Sequence, residues 1–269
     1  MSDPAQLDEA RVDLGTDRLR FDRRGPVGWC TVDNPARRNA LTRAMYRGLG
    51  AAVRAVAASP VLDALVITGV DDVFIVGGDM ADDDDAPLRD DDLPFQTLHR
   101  GEVPTVVAIN GHCQASGVLL AALADVAVAS ETAIFRLPEL RRGVAAPWSS
   151  QMLHAFVGMA RARDLALTSR SFDAAEAQQM GLISRVVPPE ELVAEAQAVA
   201  LDLLEAAPEA RRSWKRAMHS HIAPVIEDEV EASYRTPEAQ EGFASFVERR
   251  PPTWSPRATG RDADRRVGA

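Results

Sequence analysis

The chain has 269 residues, 46% of them hydrophobic and 26% charged, an ordinary globular composition with enough apolar residues for a sizeable core. Its formal net charge of -10, with arginines interspersed among acids, argues against a nucleic-acid surface or a basic membrane-binding face. Two cysteines, Cys30 and Cys113, are too few for a disulfide framework and read as reduced, buried thiols. There is no apolar run long enough to span a membrane, and the acidic start "MSDPAQLDEARVD" is no signal sequence, so a cytoplasmic location is the expectation.

In chain order, residues 1–16 read as a polar leader, followed by strands at 17–23 and 27–33 separated by the turn pair Gly25-Pro26. Thr42 is placed to N-cap a helix running to Ala58, with Met45, Leu49, Val53 and Val56 along one stripe and Pro60 closing it. "DALVITG" (63–69) has the length and continuous apolarity of a strand covered on both faces. Region 71–92 reads as irregular, and its acidic runs, Asp82 to Asp85 and Asp90 to Asp92, as a mobile solvated loop. A short helix over 93–102, a buried strand "TVVAIN" (105–110), an apolar helix over 117–124, and strands near 125–130 and 133–135 follow. The recurring order strand, strand, helix predicts a spiral of similar units, each covering the one before it.

From 148 the pattern is helical. Asp173 with Glu176 forms a capping-box pattern and Gly181 a C-terminal stop. A short strand "LISRVV" precedes Pro188-Pro189, then a long helix with Leu192, Val193, Ala196 and Val199 on one side, and two or three further helices reach Arg249. The expected division is a core over 17–190, a helical segment over 191–250 and a fraying tail over 251–269.

The five histidines, His99, His112, His154, His219 and His221, form no HExxH and no Cys/His cluster, so no metal site is expected. His219 and His221 read as exposed helix residues, and His112 and Cys113 as core. "GVDDVFIVGG" does not match a dinucleotide fingerprint, and Ser116 lacks the GxSxG setting of a nucleophile. Two stretches remain. "VFIVGGDM" (73–80) and "CQASGVLL" (113–120) each place small residues just after a buried strand, where exposed backbone N–H groups can converge on an oxygen that becomes anionic. The same glycines would also serve as tight turns.

These stretches and four others make the chain resemble the crotonase superfamily, specifically the enoyl-CoA hydratase/isomerase family. "VDNPARRNALTRAMYRGL" is similar to the family's strand-end Asn-x-Pro…Asn-Ala-Leu segment, and "VFIVGGDM" stands where the family has Phe-x-x-Gly-x-Asp. "AINGHCQASGVLLAALADVAVAS" matches its Asn-Gly and small-residue cluster, and "AIFRLPELRRGV" its Phe-x-x-Pro-Glu-x-x-x-Gly. "LTSRSFDAAEAQQMGLISRVVPPEEL" and "EGFASFVERR" match downstream helices.

The resemblance implies an α/β fold, a crotonase-like ββα spiral core with a C-terminal helical segment used in trimerisation. It implies an acyl-CoA thioester as substrate, with no separate cofactor, and a homotrimer or homohexamer. By position the two N–H donors to the thioester oxygen are those of Gly78 and Ser116. A side chain at 78 is expected to grow toward the ligand or to force the turn to a new φ/ψ. For the CoA moiety the candidates are backbone near Phe74 to Val76, the guanidinium groups of Arg37 and Arg38, and Phe246 and Arg249 from the C-terminal helix.

Of the two glutamates that the family's hydratases use, one maps onto Glu139 and the other onto Leu119, which has no proton to give or take. A lone carboxylate still suits shuttling a proton between two carbons, so isomerisation is favoured over two-glutamate hydration. Read without the resemblance, Glu139 is a surface carboxylate pairing with Arg136, Arg141 or Arg142. "GVAAPWSS" (143–150) replaces the family's glycine-rich turn, and Trp148 either narrows the acyl pocket or plugs core. The alternatives are a CoA-thioester-binding protein with vestigial catalysis and a thioester hydrolase using Ser116, which needs a histidine in reach.

Overall fold

A computed structural model describes residues 12–82, 84, 93–101, 103–222, 232–256 and 258. Most of the leader, Asp83, Asp85, Asp90 to Asp92 and most of the final tail lie outside the described residues. Among the described residues, ten strands form two sheets. The larger has the order β1(Leu19–Arg24), β2(Val27–Val32), β3(Ala64–Gly69), β5(Thr105–Ile109), β7(Val126–Ser130), β10(Arg185–Val187) and is parallel except at the β1–β2 hairpin. The smaller has the order β4(Val73–Ile75), β6(His112–Gln114), β8(Ile134–Arg136), β9(Ser171–Asp173), with only β8–β9 antiparallel. Consecutive strands β3/β4, β5/β6 and β7/β8 therefore go one to each sheet, the spiral that the repeating pattern implied.

The period-two alternation of the large sheet separates two cores. Cys30, Val32, Leu65, Ile67, Val107, Ile109, Ala127 and Ala129 face the main core, which also takes in Phe74, Ile75 and Phe135 of the small sheet. On the other face Val27, Trp29, Ala64, Val66, Val106, Ala108 and Val128 pack against Leu192, Ala196, Val199 and Ala200 of a long helix, Leu192–Leu204. Trp29 Nε1 donates to Gln197 Oε1 at 2.7 Å and ties that helix down. Val193 was expected on the same stripe but is 46% exposed, because it points away from the sheet one residue off the buried i, i+4 spacing.

The helices are α1(Arg43–Ala58), α2(Pro94–Arg100), α3(Ser116–Leu123), α4(Pro147–Val157), α5(Met159–Thr168), α6(Ala174–Gln179), α7(Leu192–Leu204), α8(Pro208–His219) and α9(Pro237–Val247). Thr42 caps α1 by accepting from Met45 N, and Asp173 caps α6 by accepting from Glu176 N. Of the acidic run, Asp82 accepts from Arg43 N at 2.6 Å and Asp84 pairs with Arg47. Those two aspartates therefore clamp the positive N-terminal end of α1 instead of belonging to a free loop.

α8 docks through a buried pair. Lys215 Nζ donates to Asp125 Oδ2 at 2.7 Å and Val103 O at 2.8 Å, and the same Oδ2 accepts from Thr105 N at 2.7 Å. One turn on, the His219 ring stacks on His99, with Nδ1 2.6 Å from His99 O. His219 is thus half-buried in a helix contact, whereas His221 is exposed as expected. Both cysteines are free and buried. No helix among the described residues is long and apolar enough to cross a membrane.

Candidate active site

Two asparagines build the first half of the site. Asn39 Oδ1 accepts from Asn34 N, and Asn34 Nδ2 donates to Ala40 O, both at 2.9 Å, closing the 34–40 loop on itself. Asn39, fully buried at φ 55°, also donates from Nδ2 to Val73 O at 2.7 Å. This clip lays Leu41 along the end of β4. Leu41 N donates to Gly77 O and Asp79 N donates to Leu41 O, each at 2.8 Å. With both neighbours of Gly78 bonded to Leu41, the Gly78 N–H faces away from it, and it has no backbone acceptor among the described residues.

The second half starts at Ala115, which adopts φ 50°, ψ −116° between β6 and α3. That region is sparsely populated for any residue with a Cβ and costs on the order of 1–3 kcal/mol. Ala115 N is held at 3.1 Å by Arg136 O of the neighbouring strand, so the sheet keeps the strained turn in place. Ser116 follows as the first residue of α3, where a helix leaves its amides without intrahelical acceptors.

The two halves meet because β4 and β6 are parallel neighbours. A Cβ on Gly77 would sit 2.9 Å from Ala115 Cβ, and one on Gly117 would sit 2.6 Å from Ile75 O. Small residues are needed here for the two turns to approach, and Gly78 and Ser116 follow the C-terminal ends of these two neighbouring strands. The backbone strain expected at Gly78 belongs to its neighbour instead. Gly77 has φ 109°, while a Cβ on Gly78 would find only ordinary contacts, the nearest being the Tyr46 hydroxyl at 3.6 Å.

Glu139 begins a 3-10 turn, Glu139–Arg142, after Pro138. None of the three expected arginine partners holds it. Arg136 Nε donates to Ser169 O at 2.9 Å, Arg141 donates to Thr168 O at 2.6 Å, and Arg142 stacks on the Phe246 ring at 3.9 Å. Glu139 forms no ion pair among the described residues, and burial pushes its carboxyl up to about 7. It lines a cavity of about 200 Å³ together with Leu137, Ala146, Ser150, His154 and Met159. Leu119, where the second carboxylate would stand, is buried at 6% exposure beside Val118 in the main core.

The turn carrying Glu139 is packed directly against α9. A Cβ on Gly143 would lie 2.3 Å from Glu238 O, and one on Gly242 would lie 2.0 Å from Arg142 O. The C-terminal helix thus sets the position of the carboxylate within its own chain. Phe246 is 46% exposed over Arg142, and Arg249, also exposed, follows at the end of the same helix. Arg37 and Arg38 belong to a different element, the turn just before Leu41; Arg37 Nε lies 3.9 Å from Asp79, and both arginines are exposed. Phe74 is fully buried, which leaves only its backbone for a ligand, while Val76 is half-buried.

Sequence reasoning missed Tyr46 and Tyr234, the chain's two tyrosines. Tyr46 projects from α1 with its hydroxyl beside Gly78 and Ser116, and it feels the charges of Tyr234 and Glu139. Burial raises its pKa, so the phenol keeps its proton. Its ring centroid is 6.0 Å from that of Phe95, which in turn takes Trp148 edge-on at 4.0 Å. Trp148 therefore continues an aromatic wall from Tyr46. The signal was present in the scarcity of phenols and in the i+4 spacing from the Thr42 cap. Ser116 Oγ, by contrast, is buried with no hydrogen-bond partner among the described residues, so no histidine is bonded to it as a base.

The two sheets, with consecutive strands going one to each, are the ββα spiral that the crotonase resemblance implied. The chain belongs to the enoyl-CoA hydratase/isomerase family: the sequence model of that family matches residues 22–257. Among similar proteins, a probable enoyl-CoA hydratase of Mycobacterium tuberculosis is 33% identical over 244 residues, covering 86% of this chain and 95% of the relative. The 2,3-dehydroadipyl-CoA hydratase of Escherichia coli is 30% identical over 240 residues, covering 84% and 94%. An enoyl-CoA hydratase/isomerase structure from Pseudoalteromonas atlantica superposes with TM-score 0.77 at 29% identity, covering 89% of this chain and all of that one. The protein is accordingly an acyl-CoA-processing enzyme of this family.

Proposed function

We propose that the protein shifts a carbon–carbon double bond in an enoyl-CoA thioester, using Glu139 as a single proton carrier. The thioester oxygen accepts from the Gly78 and Ser116 N–H groups. The Glu139 carboxylate removes the α-proton of a β,γ-enoyl-CoA, and the electron pair spreads over a dienolate whose oxygen those donors stabilise. The same carboxyl then returns the proton to the γ-carbon, giving the α,β-isomer with no atom gained or lost. Each donor is worth roughly 3 kcal/mol in such sites.

The observation that carries this reading is one carboxylate with no ion pair among the described residues, held near neutral pKa, with a buried leucine where a water-activating partner would stand. A pKa near the working pH suits a group that both takes and gives a proton. The relatives' names point instead to hydration, so the test follows both reactions. A β,γ-hexenoyl-CoA and its α,β-isomer are incubated with the enzyme while conjugation absorbance and the mass of the water adduct are recorded. Isomerisation faster than hydration supports the reading; hydration as the faster reaction overturns it.

CoA binding by Arg37, Arg38, the 74–76 backbone, Phe246 and Arg249 is part of the same proposal, as is assembly into a trimer or a dimer of trimers. Apolar groups left exposed on the C-terminal helices, Leu201, Trp214 and Met218 among them, support such an assembly. Sedimentation at micromolar concentration gives a trimer or hexamer if this holds and a monomer if it does not.

A further inference from the structure

The space in front of the Gly78 and Ser116 amides is bounded by a side-chain hydroxyl that the two-donor scheme leaves without a task. The Tyr46 oxygen lies 3.6 Å from the point where a Cβ on Gly78 would sit. That point and the Gly78 amide branch from the same Cα, which sets the hydroxyl beside the residue that offers the N–H. On its other side Tyr46 lies beside Ser116 Oγ, which is buried and has no hydrogen-bond partner. The two hydroxyls are neighbours without a well-aligned bond between them. A buried hydroxyl left unsatisfied costs free energy that an incoming oxygen would relieve.

We propose that the Tyr46 hydroxyl is a third hydrogen-bond donor to the thioester oxygen, completing a site that joins two backbone amides to one phenol. The proposal rests on the acyl-thioester reading of the site. It assigns Tyr46 no proton transfer. Because burial holds the phenol in its protonated form, it donates steadily as charge grows on the oxygen. The ring is fixed for that role by the α1 backbone and by Phe95 at 6.0 Å. It also supplies polarity to a site whose α3 wall, at Val118 and Leu119, is entirely apolar.

Tyr46→Phe removes the oxygen and keeps the ring and its packing. The test uses butyryl-CoA labelled with 13C at the carbonyl, a saturated thioester that has no double bond to move or hydrate. Difference infrared spectroscopy reads the carbonyl stretch, which falls in frequency as hydrogen bonds to the oxygen strengthen. With the parent the bound band lies below that of free butyryl-CoA; in Tyr46→Phe part of that downshift is lost while the dissociation constant changes little. Alongside, exchange of the α-proton with solvent deuterium slows about 10–100-fold, the effect expected of losing one donor to a developing charge. A bound band at the same frequency in parent and variant overturns the assignment of Tyr46. Failure of the parent to bind butyryl-CoA overturns the acyl-thioester reading and this assignment with it. A parent that shows the downshift without α-proton exchange refutes the proposed catalysis while leaving Tyr46 as an oxygen ligand.

Discussion

Replacing Glu139 by glutamine should make the protein more stable and less active, and the stability gain should depend on pH. Folding raises the carboxyl pKa from 4.5 to about 7, so the folded protein holds this proton more tightly than the unfolded chain does. A raised pKa contributes stability that is complete below about 4.5 and is lost as pH climbs through about 7. The full shift corresponds to roughly 3 kcal/mol, and partial exposure of the residue trims this to about 2–3. Glutamine cannot ionise. Glu139→Gln should therefore match the parent near pH 4.5 and exceed it by about 2–3 kcal/mol at pH 8.5, or a Tm about 5 °C higher for a chain of this size. Thermal melts of both proteins across that range, at one protein concentration, give the comparison. A difference that does not grow with pH, or a variant less stable than the parent at pH 8.5, refutes the claim that the carboxylate is buried and unpaired.

Two further substitutions test the geometry. Gly78→Val should fold normally, since the backbone there is unstrained and a Cβ meets nothing closer than 3.6 Å, yet lose about 10²–10³-fold in turnover by screening one amide; unchanged kinetics would remove Gly78 from the site. Gly242→Ala puts a methyl 2.0 Å from Arg142 O, so α9 must move off the Glu139 turn. The expected cost is about 1–3 kcal/mol in stability, together with reduced turnover, read by melts and kinetics; an unaltered kcat would mean that α9 does not position the carboxylate.

The larger sheet was legible because its central strands, β3 and β5, are continuous apolar runs, and the α1 and α6 caps because they are local. Of the smaller sheet only β8, the strand expected near 133–135, was legible. β4, β6 and β9 have three residues each, too short for periodicity to register, and they exist through pairing with one another. That gap explains why backbone strain was looked for at Gly78 rather than at Gly77, since the contact forcing a glycine at Gly77 is with Ala115 on the other strand. The positions of Gly78, Ser116 and Glu139 followed from motif resemblance. The freedom of Glu139 did not, because three arginines within three residues of it in sequence, Arg136, Arg141 and Arg142, invite ion pairing, and only their tertiary partners show where they turn. Tyr46 escaped notice because an aromatic on an amphipathic helix reads as core.

The central claim is that Glu139 carries the α-proton of a bound thioester. The direct measurement is exchange of that proton with solvent deuterium, followed by mass spectrometry of butyryl-CoA for the parent and for Glu139→Gln across pH. The account predicts exchange by the parent that rises with pH through about 7, as the carboxyl becomes a base, and falls by about 10²–10⁴-fold in the variant. Exchange as fast in Glu139→Gln as in the parent, or none by a parent that binds the thioester, would contradict it.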